Sequence, residues 1–285
     1  MINMLKKIII LSLITMISQA QTILEHNKRS VDCEDKWVTF EPDKSGKYLL
    51  GFIYIDSEAG LTFNYEGEFK IDDEGVFKRI DNIDSIKTNS LKARLRPDIK
   101  GIAEIPKNKF KELNIDETPK WLKFYKEGEN SIERLFKWGY MYNGWNECEK
   151  ALTFLLKAEK IDSNFEGLQT EIAFSYNALK EFKKAETALL KAIKNDPKDC
   201  YTLKELAYTY RHMDELKKSA EIYHKMESCD NIVYIQETAY NLAYRYYELK
   251  DNKNFSKWSA EVLKWGDKKS IYSKNIEILK NELKD

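Results

Sequence analysis

The sequence predicts an α+β protein in which a small β-rich N-terminal domain precedes an all-α superhelix of helix-turn-helix repeats. Residues 48–71 hold two runs rich in aromatic and β-branched residues, separated by a short turn sequence, which is typical of a β-hairpin. Residues after 131 repeat small and aromatic side chains at a period of 34, which is typical of stacked helix pairs. Proline and glycine are concentrated before residue 131, so the two halves differ in local structure.

The charged residues are numerous and balanced. The chain has 285 residues, with 47 Lys and Arg against 47 Asp and Glu, so its formal net charge is zero. Nucleic-acid-binding proteins usually concentrate basic charge, and this balance therefore argues against a nucleic-acid partner. Hydrophobic residues make up 42% of the chain, which is enough to bury a core and excludes disorder throughout.

Residues 1–20 have the pattern of a secretory signal peptide. Two lysines precede an apolar stretch over 8–17, and Ser18-Gln19-Ala20 forms a cleavage site with small residues at its first and third positions. The apolar stretch is shorter than the roughly 20 residues of a membrane-spanning helix, so we expect cleavage and no membrane insertion of the mature chain. A retained N-terminal anchor is the alternative.

The residues after this site indicate the destination of the mature chain. The nearest cysteine is Cys33, too far from the cleavage site for a lipid anchor. We therefore predict an exported protein, periplasmic or secreted and not lipidated. The cleavage site followed by Gln21 resembles those of exported proteins from the Bacteroidetes group.

A β-rich domain is predicted over 37–115, after a tail over 21–36. Its two longest strands span 48–56 and 61–71, and the second of them alternates apolar and polar residues. Further short strands are predicted at 37–40, 76–80, 91–95 and 101–105. A linker helix over 116–130 follows, because Thr118 is a good N-cap and Pro119 suits the first helical position.

Three sets of residues repeat after this linker. Tyrosines recur at intervals of 34, 34 and 36 residues, at Tyr142, Tyr176, Tyr210 and Tyr246. Small residues keep the same intervals, at Gly139, Ala173, Ala207 and Ala243. The second half of each unit repeats Ala151, Ala185 and Ser219. Two antiparallel helices approach closely only where small residues meet, so this pattern predicts a stack of helix pairs.

The pattern resembles the tetratricopeptide repeat, a helix-turn-helix unit of 34 residues. The match is close from Phe182 to Pro197 and covers about 155 residues in all. The resemblance implies repeats over 131–269, in four units at 132–165, 166–199, 200–233 and 236–269, and a capping helix over 270–285. The fourth unit departs most, since we expect an insertion near 251–254 and find Trp258 where small residues are usual.

The resemblance implies that the first helix of each unit lines a concave face. The residue that follows each small residue is aromatic in all four units. Tyrosine and phenylalanine are enriched at recognition surfaces, so we predict a peptide-binding groove. Its residues are Phe136, Tyr140, Asn143, Phe174, Asn177, Tyr201, Lys204, Tyr208, Arg211, Tyr240, Tyr244 and Tyr247. The alternative is that these rings pack on neighbouring repeats or against the β-rich domain.

These features predict an exported tetratricopeptide-repeat adaptor or scaffold that binds peptide segments of partner proteins. The alternative is a carbohydrate-binding or enzymatic activity in the β-rich domain, with the repeats as a scaffold. Its candidate ring-stacking residues are Trp37, Tyr48, Tyr54 and Tyr65. No catalytic, phosphate-binding or metal-binding motif occurs, so we predict no enzymatic activity, no cofactor and no metal site.

The four cysteines allow three pairings. Cys200 begins the first helix of the third unit and Cys229 ends its second helix, so an antiparallel pair brings them to the same end. We predict a disulfide between them. Cys33 and Cys148 are a second possible pair, and the alternative is that Cys148 packs as a small apolar residue.

Overall fold

The computed structural model describes residues 24–80 and 91–283, and the predicted signal peptide at 1–20 lies outside these residues. The chain divides into two compact units, Met1–Glu127 and Gly128–Asp285. Within the described ranges, an antiparallel sheet is followed by ten helices, which confirms the α+β class. Among the same residues, every helix is too short or too polar to cross a membrane.

The first unit is built on a six-stranded antiparallel sheet. Its strands are β1 (Lys36–Phe40), β2 (Tyr48–Asp56), β3 (Gly60–Ile71), β4 (Phe77–Arg79), β5 (Lys92–Arg94) and β6 (Ile102–Glu104). The strand order is β4-β3-β2-β1-β6, and β5 pairs with the first half of β3. A register shift at Leu50 and Gly51 marks a β-bulge in the long β2–β3 hairpin.

Alternate side chains of the central strands fill a core on one face of this sheet. Trp37, Phe52, Tyr54 and Phe69 belong to this core and have at most 5% of their surface exposed. Ile53, on the opposite face of β2, is also fully buried. Burial on both faces explains why β2 reads as an almost continuous apolar run.

The segment predicted as a tail over 21–36 is part of this unit over its described residues. Ser30–Cys33 forms a 3-10 turn, and Val31 and Cys33 have no exposed surface. Lys28 forms an isolated bridge with Ile102 on the sheet edge. The prediction was wrong because a short, mostly polar segment with few apolar side chains shows no periodicity, and its burial depends on the sheet.

The linker helix predicted over 116–130 is also wrong in length and in role. Lys120–Leu122 forms a 3-10 turn and Lys123–Lys126 forms a single helical turn, which we label α1. Leu122 joins the core of the sheet, and the Lys126 ammonium lies 2.6 Å from the Asp35 carboxylate. These contacts make the segment part of the packed structure of the first unit.

The second unit contains four helix pairs and a terminal helix. The first helices of the pairs are α2 (Ile132–Gly144), α4 (Leu168–Ala178), α6 (Cys200–His212) and α8 (Ile232–Glu248). The second helices are α3 (Cys148–Ile161), α5 (Phe182–Asn195), α7 (Leu216–Met226) and α9 (Asn252–Trp265), and α10 (Ile271–Glu282) follows. Their lengths and period are those of tetratricopeptide-like units.

The same turn joins the two helices of every pair. A residue of positive φ lies two positions beyond the end of each first helix, and these residues are Asn146, Lys180, Asp214 and Lys250. The next backbone N–H donates to the carbonyl of the repeated tyrosine at 2.8–2.9 Å, as from Glu147 to Tyr142. This is the Schellman motif, which satisfies carbonyls that a helix end would otherwise leave unpaired. The repeated tyrosines therefore mark a repeated backbone turn.

The two extra residues of the fourth unit lie earlier than the predicted insertion at 251–254. Met226 and Ala243 are 17 residues apart, two more than the equivalent residues of the preceding pair. The turn that follows α8 is unchanged, and α8 itself is 17 residues long where α6 has 13. The addition therefore lies in the α7–α8 connection and the first turn of α8.

A disulfide links this connection to the start of the third helix pair. Cys200, at the start of α6, is bonded to Cys229, which follows α7, and their Cα atoms are 6.0 Å apart. Cys33 and Cys148 are buried thiols instead of a second disulfide. Burial raises the pKa of the Cys148 thiol, as expected of a cysteine that packs as a small apolar residue.

The terminal helix α10 closes the stack over part of the predicted capping segment, 270–285. Ile276 and Leu279 are buried, whereas Ile271 and Ile278 are 66% and 57% exposed. The outer side of this helix therefore carries exposed apolar side chains, whereas the ends of repeat stacks are usually polar on that side.

Candidate functional site

The candidate site is the first-helix face, which we define as the side chains of α2, α4, α6 and α8 that point away from the second helices. Successive first helices contact each other, α2 with α4, α4 with α6 and α6 with α8. Each second helix contacts the first helix of the next pair. This packing lays the first helices side by side, so that their side chains form one continuous surface.

The aromatic members of the predicted groove are half-buried or exposed. They lie along this face except for Tyr247, whose ring packs on Phe255 of the second helix α9 with centroids 5.7 Å apart. Tyr140 is the most open, with 60% of its surface exposed. Tyr244 is in ring contact with both Tyr240 and Tyr247, with centroids 6.1 and 6.2 Å away. Tyr208 packs on His212, with centroids 4.3 Å apart. The rings therefore support one another and still present surface to solvent, as at recognition sites built from tyrosine.

The two predicted groove asparagines lie inside the stack and join successive repeats. Asn143 is 5% exposed, and its amide donates to the Glu171 carboxylate at 2.8 Å. Asn177, 34 residues later, donates in the same way to Glu205 at 3.1 Å. The hydroxyl of Ser175 donates to the Asn143 side-chain oxygen at 2.6 Å. These amides are held by buried hydrogen bonds, so they are structural groups beneath the face.

The two predicted groove cations are paired within the chain. The Lys204 ammonium lies 2.9 Å from the Glu205 carboxylate and 3.8 Å from that of Glu237. The Arg211 guanidinium lies 3.4 Å from the Glu248 carboxylate and over the ring of Tyr244. Each cation thus has an internal acid as its partner, and neither is a free anion-binding group.

A cavity of about 330 Å³ opens on this face between α2, α4 and α6. Its lining includes Tyr140, Trp145, Phe174 and Tyr201, together with Glu171. Burial raises the pKa of Glu171, the Asn143 amide opposes this by a hydrogen bond, and the nearby Glu205 charge adds to it. Burial and the charges of Glu205 and Glu171 also raise the pKa of Tyr201, so its hydroxyl stays protonated at physiological pH.

Sequence reasoning missed Glu171 and Tyr234 as parts of this face, and it missed Phe165 and Tyr272 as rings that pack against it. Phe165 packs on Phe136, Tyr234 on Tyr201 and Tyr272 on Tyr240, with centroids 5.3–5.9 Å apart. Phe165, Tyr234 and Tyr272 lie at positions where the sequence repeat shows no recurring residue. The recurrence of Glu171 and Glu205 at the repeat period was the available signal for the acidic pair.

A second cavity, of about 660 Å³, lies in the first unit beside the sheet. Trp37 and Tyr65 line it, whereas Tyr48 stacks on Phe69 and Tyr54 is fully buried. The lining also includes Glu66, Arg79, Asp116, Trp121, Phe124 and Tyr125. The Glu66 carboxylate accepts hydrogen bonds from Asn64 and from the Trp121 indole. This cavity therefore combines rings with fixed polar groups.

Among the residues that the structure describes, no group of three His, Cys, Asp or Glu side chains is arranged to hold a metal ion.

Comparison with protein-family models and with curated proteins finds no match. Among solved structures, a crystal structure of MamA is 21% identical, with a TM-score of 0.46, over 57% of this chain and 92% of that chain. A MamA double mutant is 20% identical, with a TM-score of 0.43, over 51% and 81%. YrrB, described as a tetratricopeptide-repeat protein with an unusual peptide-binding site, is 12% identical, with a TM-score of 0.29, over 56% and 98%.

Proposed function

We propose that the protein is an exported adaptor whose helical unit binds a peptide segment of a partner protein across the first-helix face. The observation that supports this most is the row of half-exposed aromatic side chains on α2, α4, α6 and α8. Rings held by their neighbours lose little side-chain entropy on binding, so each can contribute strongly to affinity. The paired charges of Lys204 and Arg211 leave shape and ring contact as the main source of recognition.

The proposal of export depends on the signal-peptide pattern of residues 1–20 and is supported by the Cys200–Cys229 disulfide. Disulfides of this kind persist in oxidising compartments, such as the bacterial periplasm and the cell exterior. We propose cleavage after Ala20 and a periplasmic or secreted mature protein without a lipid anchor.

Selection from a phage library of random 12-residue peptides tests the binding proposal. The purified protein is expected to enrich a family of peptides, because the first-helix face offers aromatic contacts for any extended or helical segment. Tyr208→Ala combined with Tyr244→Ala is expected to weaken the selected peptides about 100-fold, since buried interface aromatics commonly cost 1–2 kcal/mol or more each on truncation. Fluorescence polarisation of labelled peptides measures the loss.

Leu190→Ala combined with Leu263→Ala is the matched control. These leucines lie on second helices, α5 and α9, and are 49% and 36% exposed. The control should bind the selected peptides as the wild-type protein does. Equal binding by the tyrosine variant and the control would contradict the assignment of the first-helix face, and the absence of any enriched peptide would contradict peptide binding itself.

A second candidate function is carbohydrate binding at the cavity of the first unit. Aromatic rings that lie beside fixed polar groups are the chemistry that recognises sugar rings. Phe124, which is 69% exposed, offers a ring at the cavity mouth, and the Glu66 carboxylate is fixed by two hydrogen bonds.

A glycan array probed with the purified protein tests this candidate. We expect one glycan class to bind, and Phe124→Ala to weaken that binding at least tenfold in a calorimetric titration because it removes the stacking ring. Leu49→Ala, another exposed apolar residue of the same unit, should leave the affinity unchanged. An array with no bound glycan would exclude this candidate among the sugars tested.

A further inference from the structure

Glu171 is a buried carboxylate that no cation of the described chain neutralises. It is 9% exposed, and it accepts a hydrogen bond from the neutral side-chain amide of Asn143 at 2.8 Å. Within the described residues, no lysine, arginine or histidine nitrogen lies within 4.0 Å of its oxygens. A buried carboxylate without a positive partner is costly, so a cation bound at this position would be stabilised.

The repeat that follows has a carboxylate at the equivalent position, with a cation of the chain beside it. Glu205 is the equivalent of Glu171 one period later, and the Lys204 ammonium lies 2.9 Å from it. That ammonium also lies over two tyrosine rings, 4.9 Å from the centroid of Tyr201 and 5.4 Å from that of Tyr234. An ammonium held between a carboxylate and aromatic faces gains both ion-pair and cation–π energy. In the preceding repeat the residue equivalent to Lys204 is Thr170, which supplies no charge.

The cavity at Glu171 has the shape and lining to receive such a group from outside. Its volume of about 330 Å³ is at the low end for ligand pockets and suits a single side chain. Tyr140, Phe174 and Tyr201 supply rings to its wall, and Glu171 is the one charged side chain in its described lining. The cavity therefore combines aromatic faces with one unneutralised negative charge.

We propose that this cavity receives a lysine or arginine side chain of the partner segment, so that the first-helix face selects peptides with a basic residue at one fixed position. This inference rests on the proposed peptide-binding function and adds the chemistry of the partner to it. The bound cation forms an ion pair with Glu171, as the Lys204 ammonium does with Glu205.

The phage selection is repeated in parallel with three proteins, the wild type, Glu171→Gln and Glu221→Gln. Glu221 is an exposed acid on the second helix α7 and serves as the matched control. We expect lysine or arginine at one position of the peptides enriched by the wild type and by Glu221→Gln. Glu171→Gln should enrich peptides without that preference.

Fluorescence polarisation then measures how strongly the basic residue is preferred. The two labelled ligands are a consensus peptide and an analogue with norleucine in place of the basic residue. We expect the wild type to bind the basic peptide at least tenfold more tightly than the norleucine analogue, and Glu171→Gln to bind the two within about twofold. Equal binding of both peptides by the wild type, or an unchanged preference in Glu171→Gln, would overturn the inference and leave peptide binding intact. A selection that enriches nothing would overturn the proposed function and this inference with it.

Thermal unfolding of Glu171→Gln separates loss of binding from loss of folding. Because burial raises the folded-state pKa of Glu171, its contribution to stability is full below the unfolded-state pKa, about 4.3, and is lost as pH rises through the folded-state value. The groups that face it are the neutral Asn143 and Tyr201 and the acidic Glu205. Glu171→Gln should therefore unfold at a higher temperature than the wild type at pH 7.5, with a smaller difference at pH 4. A variant that unfolds at a lower temperature at pH 7.5 would contradict the unneutralised charge on which the inference depends.

Discussion

Replacing Trp258 with alanine is expected to lower the free energy of unfolding of the helical unit by about 3–5 kcal/mol. Trp258 lies on α9 and is 2% exposed, and its ring packs edge-on against Tyr223 with centroids 5.0 Å apart. The indole of Trp265 donates to the Tyr223 hydroxyl at 2.8 Å, so three large side chains form one cluster between the third and fourth pairs. Alanine would leave a cavity that a packed cluster of this kind cannot close.

Urea unfolding followed by circular dichroism at 222 nm measures this change, because the signal comes mainly from the helices. Lys253→Ala, at an exposed position of the same helix, is the control and should change the free energy by less than about 0.5 kcal/mol. A loss below about 1 kcal/mol for Trp258→Ala would show that the fourth pair does not pack on the third as described.

Removal of the disulfide is expected to have an effect of similar size. Cys200 and Cys229 are 29 residues apart in sequence, and a loop of this length restricts the unfolded chain by about 3.5 kcal/mol in the chain-entropy description. The double variant Cys200→Ser and Cys229→Ser should therefore unfold at a correspondingly lower urea concentration. Dithiothreitol should lower the stability of the wild type towards that of the variant and leave the variant unchanged.

Thiol titration of the denatured wild-type protein, without reductant, checks the pairing independently. Two reactive thiols are expected, from Cys33 and Cys148. Four reactive thiols would contradict the disulfide, and an unchanged urea midpoint in the serine variant would contradict its contribution to stability.

Local patterns in the sequence were enough to predict most of the elements. The strands at 48–56 and 61–71 were predicted from alternation and β-branched residues, and β2 and β3 lie within one residue of these ranges. The helix pairs were predicted from small residues at the repeat period, since Ala173 and its equivalents permit close packing wherever they occur. Such signals are local, so they can be recognised without knowledge of the tertiary structure.

Features that depend on contacts distant in sequence could not be predicted in this way. Val31 and Cys33 are buried only because the sheet is there to receive them. The position of the insertion in the fourth unit was predicted wrongly. The spacing of the repeated residues shows how many residues are added, but it does not show where they lie. Among the candidate site residues, the aromatic ones other than Tyr247 lie on the first-helix face, whereas Asn143 and Asn177 lie beneath it. Their partners, Glu171 and Glu205, come from the following repeat, and the motif does not specify them.

Peptide binding across the first-helix face of the helical unit can be tested by locating the bound peptide. Photo-cross-linking with a selected peptide that carries one benzophenone side chain, followed by mass spectrometry of the digest, locates the contact directly. We expect the cross-links to lie within α2, α4, α6 and α8, at residues such as Tyr140 and Tyr208. Cross-links confined to the second helices α3, α5, α7 and α9, or to residues 24–127, would contradict it.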